Sequence, residues 1–159
     1  MKSYKVIEVM ETGGLEVIKK SGKNMEKIIV NVSWCDRNYG ASIENVPGSV
    51  VVTAKTYDEL VNEIKETLKF HVEGMMADGD DVPQWLRDGD YEFEYHYDTA
   101  SILQMCAPYA SLAAISRVSG INKHQLSHYA NGMKKPRPEQ RKRIIDGIHK
   151  IGQELISVE

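Results

Sequence analysis

The stretch SLAAISRVSGINKHQLSHYANGMKKP, Ser111 to Pro136, decides the architecture of the second half of the chain. Leu112, Ile115 and Val118 recur at helical spacing, which predicts a short amphipathic helix. Gly120 closes it, because a residue without a Cβ enters the positive-φ region that a tight turn between helices requires. Asn122 is suited to cap a second helix over Lys123 to Asn131, its side-chain oxygen accepting from an orphan amide. In that helix Leu126 and Tyr129 turn inward on Ile115 and Val118, and Gly132 fits the end. Lys123, His124, Gln125, Ser127 and His128 are then left facing outward, all able to hydrogen-bond to base edges or phosphates.

The string from Ile115 to Pro136, with its Asn131-Gly132 ending and the basic Lys134-Lys135 that follows, resembles the helix-turn-helix domains of the xenobiotic-response-element (Cro-repressor-like) family. The resemblance implies that the first helix crosses the DNA backbone and the second enters the major groove. Gln125 and His128 then contact bases, with Asn122 and His124 beside them, while Lys123, Ser127, Lys134, Lys135 and Arg137 serve phosphates. Ser116 departs from the family's usual alanine, a small change for which no disruption is expected. Pro138, placed for a first turn, opens a last helix in which Ile144, Ile145, Ile148, Ile151 and Leu155 recur. Its Arg141-Lys142-Arg143 cluster reads equally as a solvated face or a DNA contact.

Working backward from that unit, the charge changes sign. Residues 1 to 97 hold 11 Lys and Arg against 18 Asp and Glu, a net −7, whereas residues 98 to 159 hold 9 against 5, a net +4. An acidic part is therefore joined to a basic one, and one chain can meet two oppositely charged partners.

The acidic part alternates as strands do. Lys27 to Trp34 (KIIVNVSW) and Tyr39 to Glu44 (YGASIE) flank a tight turn at Asp36, Arg37 and Asn38, and Asn45 to Gly48 (NVPG) turns the chain into Ser49 to Lys55. These make a three-stranded antiparallel meander. Thr56-Tyr57-Asp58-Glu59 fits a capping box, so a helix starts there, with Leu60, Val61, Ile64, Leu68, Val72 and Met75 on its apolar face. Tyr91, Phe93, Tyr95 and Tyr97 alternate with Glu92, Glu94, His96 and Asp98, predicting a fourth strand with aromatic rings inward and charge outward.

Met25-Glu26-Lys27-Ile28-Ile29-Val30, Trp34, Tyr39-Gly40-Ala41, Val46-Pro47-Gly48, Phe70-His71-Val72-Glu73-Gly74 and Asp88-Gly89-Asp90-Tyr91-Glu92-Phe93 together resemble the HicB antitoxin family. The resemblance implies an α+β fold: a partial RNase H-like β-β-β-α-β domain, residues 25–98, followed by an all-α helix-turn-helix DNA-binding domain, residues 99–159. It also implies a function, binding and inhibiting the RNA-cleaving toxin HicA and repressing the protein's own operon. The expected partners are double-stranded operator DNA, a small basic HicA-like toxin and a second copy of the chain in a homodimer or higher even assembly. The acidic loop residues Asp78, Asp80 and Asp81 and the strand residues Glu92 and Glu94 are the candidates for meeting the toxin.

Other classes fit less well. An RNase H-like nuclease needs a cluster of metal-binding carboxylates, and here only Asp36 and Glu44 stand near the strand ends, with no Ser-His-Asp order and no Gly-rich phosphate loop. His124 and His128 are four apart, as half a zinc site would be, without a third ligand nearby; no metal or cofactor is expected. His71 reads as a hydrogen-bonded core histidine, and Cys35 and Cys106 as buried free thiols. The alternative function is a stand-alone helix-turn-helix regulator whose α+β domain senses a small ligand. No apolar run approaches the roughly 20 residues that span a bilayer, and the first residues lack a signal peptide's apolar core, so a cytoplasmic location is expected. Residues 1 to 24 precede the antitoxin resemblance; they faintly resemble the opening of HicA toxins and read either as a short helix and strand or as an irregular tail.

Overall fold

The computed structural model describes residues 25–158, so the readings of residues 1–24 lie outside it. The fold is α+β, with a four-stranded mixed sheet and six helices among the described residues. Three strands, β1 (Glu26–Cys35), β2 (Asn38–Glu44) and β3 (Val50–Ala54), form the antiparallel meander that the alternation predicts. Asp36 and Arg37, both at positive φ, turn β1 into β2 in the twist sense that hairpins favour. β4 (Tyr91–Tyr97) pairs parallel to β1, giving the order β3-β2-β1-β4.

The connection from β3 to β4 runs through α1 (Tyr57–Asp78), which starts where Thr56 and Glu59 complete the capping box. α1 lies over β3 and β2 and buries Leu60, Ile64, Leu68 and Val72 against Ile28, Val30, Ala41, Ile43, Val50 and Val52. One sheet face is thus covered, and the other, carrying Asn31, Ser33, Ser42 and His96, is left open among the described residues. His71, on α1, has its Nε2 2.7 Å from the Pro47 carbonyl oxygen, which anchors the turn between β2 and β3. A short helix, α2 (Gln84–Arg87), precedes β4 and sets Trp85 against Tyr91.

Beyond β4 the chain becomes helical: α3 (Thr99–Cys106), α4 (Leu112–Ser119), α5 (Lys123–Ala130) and α6 (Pro138–Ile156). Their core is separate from that of the sheet and consists of Leu103, Ile115, Ile121, Leu126, Tyr129, Ala130 and Ile144. Val118, expected in this cluster, instead meets α6, where a Cβ placed on Gly147 would stand 2.9 Å from Val118 Cγ2. α3 belongs to both halves, Leu103 entering the helical core and Met105 packing on the sheet core.

The sequence reading assigns no individual helix to Gln84–Arg87 or to Thr99–Cys106, although the latter falls within the part read as all-α. Asp98, read as the charged end of β4, is the N-cap of α3, its carboxylate accepting from the Ser101 amide at 2.7 Å. The thiols also differ from expectation: Cys106 is half-buried, with burial raising its pKa, and Cys35 is exposed because β1 runs out into the turn there.

Candidate nucleic-acid and partner interfaces

The geometry of α4, its turn and α5 is set by local polar bonds. Ser111 caps α4 by accepting from the Ala114 amide, and Gly120, at φ 66°, turns the chain and donates its amide to the Ser116 carbonyl at 2.9 Å. The Ser116 hydroxyl donates to the Ile121 carbonyl at 2.7 Å, so the residue that departs from alanine tightens the turn. Asn122 caps α5, its Oδ1 accepting from the His124 amide at 2.8 Å. Asn122 is therefore held in place as a cap through its Oδ1.

The outward row on α5 is graded in exposure. Lys123 and His124 are exposed, whereas Gln125, Ser127 and His128 are half-buried. The His124 and His128 rings lie 4.9 Å apart, and among the described residues no group of three metal-ligating side chains forms. The Gln125 amide donates to the Tyr129 hydroxyl at 2.7 Å, and that hydroxyl donates to Gln140 Oε1 at 2.7 Å. Gln140 Oε1 also accepts from the Arg137 amide at 3.3 Å. The chain of bonds fixes the Gln125 side chain and leaves its carbonyl oxygen free for an outside donor. It also fastens the start of α6, with Arg137, to the base of α5.

The segment after α5 carries Lys134, Lys135 and Arg137, all exposed, and the Lys134 amide donates to the His128 carbonyl at 3.3 Å. It reverses at Gly132, whose φ of 69° and whose 3.2 Å clearance between a built Cβ and the Trp34 carbonyl both favour glycine. Lys135 lines a shallow cleft with Asn31, Ser33, Ser42 and His96 of the uncovered sheet face.

The basic cluster on α6 resolves residue by residue. Arg141 turns inward, donating to the Tyr97 carbonyl and the Thr99 hydroxyl, both at 2.8 Å. Arg143 donates to the Ser119 carbonyl at 3.0 Å and so satisfies the C-terminal end of α4, and Lys142 pairs with Asp146 on its own helix. With the Gln104 amide on the Ala130 carbonyl at 2.7 Å, Arg141 fastens the helical part to the sheet. These anchors were not legible in sequence.

The candidate partner-binding acids divide into two places. Glu92 and Glu94 lie on β4, on the face turned away from α1, and Glu94 is engaged by Lys27 at 2.6 Å and by His96 at 2.9 Å. The hydrogen bond from Lys27, then that from His96, holds the Glu94 carboxyl below its usual range, and the same contact raises Lys27. Asp78, Asp80 and Asp81 stand at the end of α1, Asp78 and Asp80 bordering the start of β3. Because β3 and β4 are opposite edges of the sheet, the two acidic groups are about 14 Å apart by strand spacing alone.

No known family model, curated protein or solved structure matches this chain. No helix among the described residues is long and apolar enough to cross a membrane.

Proposed function

We propose that this chain is an autoregulating antitoxin of the HicB type: its partial RNase H-like half binds and neutralises a small basic RNA-cleaving toxin, and its helix-turn-helix half binds operator DNA. The observation that carries the DNA half is the second helix of a glycine-turned pair bearing Lys123, His124, Gln125 and His128 outward, with the exposed Lys134, Lys135 and Arg137 in the segment that follows it. The strand order β3-β2-β1-β4, with β4 parallel to β1, supports the RNase H-like reading of the other half. Acids at both sheet edges suit a cationic partner. On this reading the chain acts by binding, as a homodimer on two half-sites, and not by catalysis.

The DNA half is tested by fluorescence anisotropy on a duplex taken from upstream of the protein's own coding sequence. Binding at least about 10³ tighter than to a scrambled duplex at the same salt is expected. Equal affinity for the two contradicts operator recognition. One observation favours the ligand-sensing alternative, the polar cleft that Lys135 shares with the uncovered sheet face. A metabolite that releases promoter DNA from the wild type, but not from a His96→Ala variant, selects that reading.

A further inference from the structure

Between the C-terminal half of α1 and the start of β3 runs an open groove of about 430 Å³, walled by Phe70, His71 and Met75 on the helix and by Val50 and Val51 on the strand. Its helical wall carries a bare aromatic ring, Phe70 at 77% exposed, beside the half-buried Met75, whereas the Val51 side chain turns to the other face of the sheet. An exposed large aromatic at the rim of a groove offers an apolar contact to a partner. Gly74 adds to the opening, since a Cβ there would meet nothing within 4 Å. Among the described residues β3 is an edge strand, paired with β2 alone, so its far side offers backbone donors and acceptors to an incoming strand.

The end of the groove carries charge of one sign. Asp78 closes the last turn of α1, Asp80 and Asp81 follow, and that last turn holds no basic residue. Carboxylates beside a helix C-terminus face the negative end of its dipole, an arrangement that a cation relieves. No side-chain hydrogen bond or ion pair engages Asp78, Asp80 or Asp81 among the described residues, whereas Glu94 at the opposite edge is already paired with Lys27 and hydrogen-bonded to His96.

We infer that this groove receives an extended segment of a basic protein partner, which adds a strand to β3, lays alternate apolar side chains against Phe70 and Met75, and places Lys or Arg beside Asp78, Asp80 and Asp81. The inference rests on the reading of the sheet half as a toxin-binding unit and names the edge that does the binding. Strand addition supplies affinity through the backbone, and the apolar and charged contacts supply selectivity. An antiparallel arrival brings the segment's C-terminal end to the start of β3, where the acids are.

The test is an NMR titration of the full chain with the blocked peptide Val-Thr-Val-Thr-Val-Lys-Lys. Amide shifts along Val50–Ala54 and at Phe70 and Gly74 are expected. Phe70→Ser, and separately the triple change Asp78→Asn, Asp80→Asn and Asp81→Asn, should each weaken binding about fivefold at low salt, while Glu139→Gln, exposed on α6, leaves it unchanged. Phe70 is exposed, so its loss leaves the core intact. Equal binding of a peptide ending in Glu-Glu, or shifts centred on β4, overturns the assignment. If Phe70→Ser instead converts an oligomer of the chain alone to a smaller species, a second copy occupies the groove and the assignment fails. These outcomes are independent of promoter binding and of toxin capture, so this inference can fail while the antitoxin reading stands.

Discussion

Replacing Arg141 by Met removes the guanidinium that joins the two halves while keeping most of the side chain's packing. Two hydrogen bonds are lost, to the Tyr97 carbonyl and to the Thr99 hydroxyl, each 2.8 Å long. Hydrogen bonds from a charged donor contribute roughly 1.5 to 3 kcal/mol apiece, but both sites are only partly buried and water replaces some of the loss. The expected cost is about 2 to 3 kcal/mol, read as a lowered urea midpoint. Neither acceptor is a carboxylate, so raising the salt should not erase the difference. Promoter DNA provides the second readout: a phosphate contact contributes roughly 0.9 to the slope of log K against log salt, and Arg141→Met should leave that slope unchanged. A variant as stable as the wild type, with the slope reduced by about one, refutes the reasoning and returns Arg141 to the DNA surface.

Three further outcomes are expected. Gly147→Ala forces a methyl to within 2.9 Å of Val118 Cγ2 and 3.3 Å of the Ser119 backbone nitrogen; the crowding outweighs the helical preference of alanine, and urea denaturation should give a net loss of about 1 to 2 kcal/mol. Burial first of all raises the pKa of Tyr39, Tyr91, Tyr95 and Tyr97 above the ordinary 10.0, so the unfolded chain releases these protons before the folded one. The stability they contribute is complete below pH 10.0 and falls as the pH rises above it towards the folded values, so the urea midpoint should hold up to about pH 10 and drop beyond it, less steeply in Tyr97→Phe. Gln125→Ala should cost roughly 1 to 3 kcal/mol on promoter DNA and little on random DNA, whereas Lys134→Ala should weaken both about equally; equal losses on both duplexes for Gln125→Ala would remove it from base readout.

The parts of the fold legible in the sequence are those fixed by near neighbours. The capping box at Thr56 and Glu59, the Asn122 cap, the Gly120 turn and the Pro138 start all depend on residues within one helical turn, and the pattern carries them. α3 is harder to read because it packs on two cores at once and therefore has no single apolar stripe, and because its cap, Asp98, continues the charged alternation of β4. The parallel pairing of β4 with β1 joins residues 65 positions apart, as in Glu26 with Tyr91, and leaves no local trace.

The candidate sites divide in the same way. The outward row on α5 follows from helical spacing, so it was visible; that Gln125 is tied to Tyr129 was not, since the Tyr129 hydroxyl is positioned by Gln140 on another helix. Arg141, Lys142 and Arg143 are consecutive cations with indistinguishable patterns, and only their tertiary partners separate an anchor from a surface pair and a helix cap. The acids Asp78, Asp80, Asp81, Glu92 and Glu94 read as one surface along the chain because sequence distance hides the sheet order that sets them on opposite edges. Phe70 falls off the helical stripe of Leu60, Ile64, Leu68 and Val72 and is exposed, but that it borders a groove beside β3 depends on tertiary placement.

The most direct test of the antitoxin account is capture of the full chain from its native cell, with mass spectrometry of bound protein, sequencing of bound DNA, and an RNA-cleavage assay on any small basic protein recovered. The account predicts DNA from the protein's own promoter together with a small basic protein whose RNA cleavage stops when the purified chain is added back. Recovery of promoter DNA with no such protein, or with one whose cleavage continues in the presence of the chain, contradicts it.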